Sequence, residues 1–297
     1  MTASLRVWLD AARPRTLPAA VAPVLTGTAL AAQFTAWRAA AALVVALAFQ
    51  VAVNFANDYE DGVRGVDTAE RVGPTRAVAS GQVAPAAMRR ATWIAIAVAC
   101  AAGLALAAVV SWWLVAVGAA CALAALGYSG GPRPYASAGL GEVFVFVCFG
   151  LVATAGSAYV QDGAVTPAVW PAAVAMGLFA SAILVANNLR DLPTDAAVGK
   201  RTLAVRLGDR GARGLYAALV VAGLACVPVV AWLAGSWLLL VALAAAPLAI
   251  LAVHAVVRGG PDAAGATGQD LVPVLAATGR VQLLVAVLVA LGAGVAA

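Results

Sequence analysis

Apolar residues fill nine stretches of this chain, at about 16–36, 39–58, 88–109, 111–129, 139–160, 167–189, 212–233, 237–257 and 271–295. Roughly 20 residues of helix cross a hydrocarbon core, so each stretch is predicted as one transmembrane helix. The runs are continuous and rich in Ala, Leu and Val, with none of the short alternating segments a barrel needs. Helices also satisfy every backbone polar group within one segment, as lipid demands. The pattern therefore predicts an all-α integral membrane protein of nine transmembrane helices. It forms one domain over residues 1–297, with no linker. The first apolar run begins after Arg13 and Arg15 and is too long for a cleavable leader.

Composition agrees with the pattern. Of 297 residues, 64% are hydrophobic and 10% charged, whereas a soluble domain carries about a quarter charged residues. If nine helices alternate, sixteen of the eighteen basic residues fall on one face, leaving Arg38 opposite and Arg280 inside the last span. That asymmetry predicts a cytoplasmic N-terminus and makes the arginine-rich face cytoplasmic. The net charge of +5 is then a topological signal and needs no nucleic acid to explain it. Cys100, Cys121, Cys148 and Cys226 lie inside apolar runs without paired spacing, as small packed side chains do. His254, the sole histidine, reads as a polar residue near a helix end.

Carboxylates are scarce here, yet they gather twice at the ends of apolar runs. The first gathering has Asn57, Asp58, Asp61 and Asp67; the second has Asn187, Asn188, Asp191 and Asp195. Both follow even-numbered spans and lie on the basic face. Asn57 and Asp61 stand at i and i+4, as do Asp191 and Asp195, so each pair shares a helix face if the helix continues. Pro193 is compatible with this if Asp191 caps a new turn. Arginine follows each gathering at the same interval: Asp61 precedes Arg76 by fifteen residues, and Asp191 precedes Arg206 by fifteen. Hard oxygen ligands suit Mg2+, which shares them with bound phosphate. Arg64, Arg76, Lys200, Arg201 and Arg206 are the candidate diphosphate-binding cations, arginine offering a bidentate fork. Asp61 and Asp191 are the expected catalytic centre. Asn57, Asp58, Asp67, Asn188 and Asp195 complete the expected metal set. Candidates for holding a second substrate are Arg13 and Arg15 before the first helix, with Tyr135 and Glu142 around a glycine-rich turn. Glu142 enters an apolar span, where a carboxyl group is costly unless it faces the bundle interior.

These residues carry a resemblance. The stretches N-D-Y-E-D-G-V-R-G-V-D-T…R-V-G-P-T-R and N-N-L-R-D-L-P-T-D…G-K-R-T-L-A-V-R-L-G resemble the UbiA superfamily of intramembrane prenyltransferases. The segment Y-S-G-G-P-R-P-Y-A-S-A-G-L-G-E, residues 128–142, is similar to its naphthoate-using branch. Asn57, Asp58 and Asp61 match the family form N-D-x-x-D-x-x-x-D. Gly65 stands where the last aspartate belongs, and Asp67 follows two residues later, a spacing similar to the naphthoate branch. The resemblance implies a nine-helix bundle around a lipid-facing cavity, with Mg2+ bridging a polyprenyl diphosphate. It also implies transfer of the polyprenyl chain to 1,4-dihydroxy-2-naphthoate, with loss of the acceptor's carboxyl group, at a bacterial plasma membrane. Two other readings stay open at this point. One is the same chemistry on 4-hydroxybenzoate, a haem or a glycerol-phosphate lipid; the other is a secondary transporter, whose site would usually lie near the midplane.

Overall fold

The computed structural model describes residues 3–65, 76–131, 134–258 and 266–296, and every regular element among them is helical. In chain order these are α1 (Leu5–Ala12), α2 (Pro18–Ala29), α3 (Ala36–Val63), α4 (Pro85–Val109), α5 (Trp113–Ser129), α6 (Gly141–Val145) and α7 (Ala153–Asp162). They continue as α8 (Val169–Arg190), α9 (Leu192–Ala197), α10 (Leu203–Leu233), α11 (Ala246–Val257) and α12 (Leu271–Ala296). A π-helical segment, Phe146–Val152, joins α6 and α7 into one rod. A 3₁₀ segment, Trp237–Ala245, leads into α11.

Among the described residues seven helical rods are long and apolar enough to cross a membrane: α3, α4, the Gly141–Asp162 rod, α8, α10, Trp237–Val257 and α12 with its leading turn. Two of the nine expected spans, at about 16–36 and 111–129, are shorter apolar helices, α2 and α5. Residues 16–36 do not form one long helix. Pro18 starts α2, which ends at Ala29 after 12 residues, about 18 Å at 1.5 Å per residue. A loop over residues 30–35 follows, stitched by side chains of α7. Asp162 accepts the Ala32 and Gln33 N–H groups at 2.6 and 2.8 Å, and Gln161 accepts that of Thr35 at 2.7 Å. Helix α5 has 17 residues. Arg38, the cation expected on the far face, donates to the Val160 and Gln161 carbonyls and so satisfies the C-terminal turn of α7.

Helix α3 is longer than its apolar run. Its 28 residues reach about 42 Å, beyond a core of about 30 Å, so its last turns carry Asn57 and Asp61 clear of the apolar layer. Helix α10 starts at Leu203, nine residues before the expected 212, and breaks at Gly208, where φ is +70°. Glycine tolerates that conformation at no steric cost.

Helix α8 is the hub. In its most apolar window 67% of residues are buried inside the protein, against 28–44% in the other spanning rods. It packs most broadly on α10, while α3 packs on α4 and α2 on α12. Six of the eight tryptophans (37, 112, 113, 170, 232 and 237) are exposed at helix ends away from the two acidic gatherings. Exposed indoles at helix ends are the pattern expected at a membrane–water boundary.

Candidate functional site

The last two turns of α3 divide their polar residues between two tasks. Asn57 and Asp61 face an internal cavity of about 1040 Å³. Asp58, expected among the cation ligands, is buried against the segment after the first acidic loop. Its two carboxylate oxygens accept the N–H groups of Ala77 and Val78 at 3.0 and 2.9 Å, and it does not line the cavity. Asp58 thus ties α3 to the segment that follows the loop. Gly62 permits the docking, since a Cβ there would lie 2.6 Å from Val78 Cγ1. The tether delivers Arg76, whose Nη2 donates to Asp61 Oδ2 at 2.8 Å. Asp67 lies outside the described residues.

The second gathering is built at a break between helices. Asn187 and Asn188 close the last turn of α8, and Asp191 stands at the N-cap position of α9 with Pro193 in the first turn. Proline is tolerated there because that N–H has no helical partner. The Asp195 N–H donates to the Asp191 carbonyl at 2.8 Å, so the turn holds both carboxylates toward the cavity, which they line with Asn187 and Asn188. Arg190 grips Asp191 with two bonds, Nε to Oδ1 at 2.7 Å and Nη2 to Oδ2 at 2.6 Å, both residues being buried.

One cation joins the gatherings. Lys200 Nζ lies 3.5 Å from Asp61 Oδ1 and 3.9 Å from Asp195 Oδ1. Its loop is laced to the glycine-rich turn by Arg201 N–H donating to the Ser137 carbonyl at 3.0 Å. That lacing turns Lys200 inward and Arg201 outward. Arg201 and Arg206 are exposed and do not line the cavity; Arg206 Nε donates to the Arg201 carbonyl at 3.1 Å. Both are expected diphosphate cations, and in this structure their contacts brace the loop. Arg64 lines the cavity but pairs with Glu60 at 3.1 Å and donates to the Gly131 carbonyl at 2.7 Å.

The oxygen-rich rim fits a hard divalent cation. Among the described residues no three His, Cys, Asp or Glu side chains gather as one cage. Mg2+ bound through diphosphate needs no such cage, since it is held by one or two carboxylates while phosphate and water complete its shell. Asn57, Asp61, Asn188, Asp191 and Asp195 supply that number from both sides. An ammonium group already sits between two of the carboxylates, which marks the spot as one favouring positive charge.

Arg13 and Arg15 line the same cavity. Arg13 is the single described non-glycine residue with positive φ, at +53°, a strained conformation of the kind that clusters at functional sites. Its carbonyl accepts both Thr16 N–H and Thr16 Oγ1 at 2.9 Å. Thr16 Oγ1 in turn accepts from Gln50 and Asn54, each at 3.1 Å. Tyr135 lines the cavity stacked on Phe144, centroids 3.7 Å apart, and burial pushes its phenol above the usual tyrosine range. Glu142 does not line the cavity. It stands behind Asn188, accepting its Nδ2 at 2.9 Å, and so touches a rim residue.

Sequence reasoning overlooked Arg190, Gln50, Asn54 and Thr16. Gln50, Asn54, Asn57 and Asp61 recur at i, i+4, i+7 and i+11, a polar stripe on an apolar helix that was there to be read. Arg190 gave no such signal, because beside a membrane edge it looks like any topological charge.

Away from this rim the cavity is walled by apolar residues of α3, α4, α5 and the Gly141–Asp162 rod, Phe49, Leu104, Val117 and Phe149 among them. Leu104 and Val117 are exposed as well as lining the cavity, so its apolar end is not sealed. Polar, doubly acidic and cationic at one end, apolar and open at the other, the chamber suits an amphiphile with an anionic head and a long tail.

Known proteins share this build. The structure is similar to a UbiA homolog from Archaeoglobus fulgidus bound to GPP and Mg2+, with TM-score 0.67, 14% identity, and coverage of 95% of this chain and 99% of that one. It is also similar to the apo structure of a UbiA homolog from Aeropyrum pernix K1, with TM-score 0.69, 17% identity, and coverage of 94% and 97%. In sequence, the chain is 47% identical to 1,4-dihydroxy-2-naphthoate octaprenyltransferase of Mycobacterium tuberculosis, over 97% of each chain. It is 41% identical to the Escherichia coli protein of that name, over 74% of this chain and 75% of the other. The model of the UbiA prenyltransferase family matches residues 20–267, and with these relatives the chain belongs to that family.

Proposed function

We propose that this chain transfers a polyprenyl group from polyprenyl diphosphate to 1,4-dihydroxy-2-naphthoate, with decarboxylation, giving the demethylmenaquinol of menaquinone biosynthesis. The observation that carries this is the convergence of two carboxylate–amide helix ends, 130 residues apart in sequence (Asp61 and Asp191), on the polar rim of one apolar chamber. The relatives named for this reaction favour naphthoate over 4-hydroxybenzoate, haem or a glycerol-phosphate lipid. A transporter reading has no support, since the charged groups sit at the rim rather than at mid-depth.

The residues account for the steps. Arg76, Arg190 and Lys200 line the rim and neutralise charge as it gathers on the departing diphosphate, lowering the barrier to breaking the allylic C–O bond. When bound, held by Asn57, Asp61, Asn188, Asp191 and Asp195, Mg2+ supplies further neutralisation of the diphosphate oxygens. The apolar wall excludes water, which would otherwise capture the allylic cation before the electron-rich ring carbon attacks. The isoprenoid tail lies along that wall and leaves through the unsealed apolar end. Arg13 and Arg15 offer the positive charge that a naphthoate carboxylate needs.

We read α2 and α5 as short spans that complete nine crossings. Asn54 Nδ2 donates to the Ala12 carbonyl at 2.8 Å, and Ser129 Oγ donates to Asn57 Oδ1. Residues just before α2 and at the end of α5 therefore stand at the level reached by the end of α3. Since α3 and α4 cross, α2 and α5 must cross back. The N-terminus and the rim then share the arginine-rich face, the cytoplasmic side of a bacterial plasma membrane.

The test incubates membranes holding the chain with 1,4-dihydroxy-2-naphthoate, labelled polyprenyl diphosphate and Mg2+. A lipid-soluble, decarboxylated conjugate that disappears with EDTA is expected. Absence of any conjugate, or its formation only with a different acceptor, overturns the reading.

A further inference from the structure

Two carboxylates among the described residues are buried inside spanning rods, Asp58 and Glu142; both oxygens of Asp58 are taken by backbone N–H groups, which leaves Glu142 to be explained. Such a group needs a reason. It is 7% exposed and takes no place in the cavity wall. One oxygen accepts Asn188 Nδ2 at 2.9 Å, and the other, Oε2, has no hydrogen-bond partner. The α6–α8 interface presenting it is fixed at two further points. Ser181 Oγ donates to the Glu142 carbonyl at 3.1 Å. Gly150 and Gly177 pack backbone to backbone, a Cβ on Gly150 falling 2.4 Å from Gly177 Cα. Gly177, Ser181 and Asn188 stand at i, i+4 and i+11, one face of α8. The π-helical turns after Glu142, Phe146–Val152, insert extra backbone between these anchors, so that both are met by one rod. Such insertions recur at functional sites.

An asparagine amide has a donor end and an acceptor end, and which one faces a site depends on what the other is bonded to. Glu142 Oε1 accepts from Asn188 Nδ2. It thereby engages the NH2 end and leaves Oδ1 for the rim, where an oxygen and not a hydrogen is wanted. We propose that Glu142 is a positioning residue: it fixes the Asn188 amide with Oδ1 turned to the cation–diphosphate rim, from a place where it touches neither substrate. The inference rests on the function proposed above and adds a residue through which the second half-site is oriented. Outer partners of this kind are worth about 10- to 100-fold in metal affinity or activity.

The test uses the full-length chain purified in detergent, with two readouts. One is the Mg2+ concentration giving half-maximal transfer; the other is the thermal stabilisation produced by Mn2+ with an unreactive prenyl diphosphate analogue. Glu142→Leu and Asn188→Ala should each raise the half-maximal Mg2+ about 10-fold or more and shrink the stabilisation. The double variant should be no worse than either single one, because both remove the same oriented oxygen. Independent, multiplying losses in the double variant would overturn the proposal. Donor–acceptor reversal covers the case in which the leucine variant does not fold. Asn188→Asp sets two acceptors face to face and should be defective. Adding Glu142→Gln, whose amide can donate to the new carboxylate, should recover at least half of the lost stabilisation. No recovery would sink the orienting role. If wild-type protein shows the stabilisation but forms no naphthoate conjugate, the proposed function fails while the pair experiment still decides this inference.

Discussion

Lys200 and Asp61 stand 139 residues apart in sequence and 3.5 Å apart in space. With Asp195 3.9 Å from the same ammonium, Lys200 is a point at which the two halves of the site touch. A lone lysine between two carboxylates balances charge that a divalent cation and a diphosphate would otherwise rearrange. Lys200→Met should lower the thermal stability of metal-free protein by about 1 kcal/mol or less, since the ion pair is partly exposed and Asp61 keeps its bond to Arg76. Adding Mg2+ with a diphosphate should restore more stability to the variant than to wild type, which calorimetry or a fluorescence melt would reveal. Equal gains in both would count against a shared position.

Asp61→Asn and Asp191→Asn should each cut transfer by about 100-fold or more, the scale seen when a preorganised charge contact is lost. Both proteins should insert and retain their helical circular dichroism. Wild-type turnover at ordinary Mg2+ in either variant would remove these carboxylates from the reaction.

Asp58→Ala should act differently, because its oxygens hold the Ala77 and Val78 N–H groups. Loss of two charge-assisted bonds costs about 1.5–3 kcal/mol apiece, and Arg76 loses its placement. The expected signature is faster proteolysis around residues 76–84 together with a raised KM for polyprenyl diphosphate. A variant with unchanged cleavage would refute the tether.

The arginines separate by position. Arg76→Ala and Arg190→Ala should raise the KM for the diphosphate about 10-fold or more, on the scale of about 1.5–3 kcal/mol for a charged hydrogen bond. Arg206→Ala, exposed and bonded to a loop carbonyl, should change it by less than about 3-fold, within the range of surface substitutions. Steady-state kinetics on the three variants gives the ranking. An Arg206 defect equal to that of Arg76 would return Arg206 to the diphosphate.

Much of this molecule is legible in its sequence because lipid is a demanding solvent. Long apolar runs in a chain that is 64% hydrophobic have few alternatives to spanning helices, and the arginine asymmetry predicts their orientation. The acidic gatherings stand out for the same reason: carboxylates beside apolar runs need a purpose. Even the cap at Asp191 is foreshadowed by Pro193, which suits the first turn after a helix break better than a helix interior. The first span was less legible, because apolar character persists through residues 30–35 while α2 stops at Ala29. Hydrophobicity reports which solvent a residue prefers and says nothing of where a helix ends.

Side-chain direction was decided elsewhere. Asp58 and Asp61 are both carboxylates on one helix, yet a rotation of 300° over three residues at 100° each, fixed by 3.6 residues per turn, sends one to backbone amides and the other to the cavity. Lys200 and Arg201 are neighbours, and lacing of the loop to Ser137 turns one inward and the other out. Glu142 and Asn188 meet only because π-helical turns and a glycine contact set the register of two rods. Sequence alone determined the solvent, the helices, the acidic half-sites and the family likeness, since those follow from local composition and spacing. Which carboxylate, arginine or amide faces the chamber was settled by packing between segments far apart in the chain, and local spacing carries no record of that.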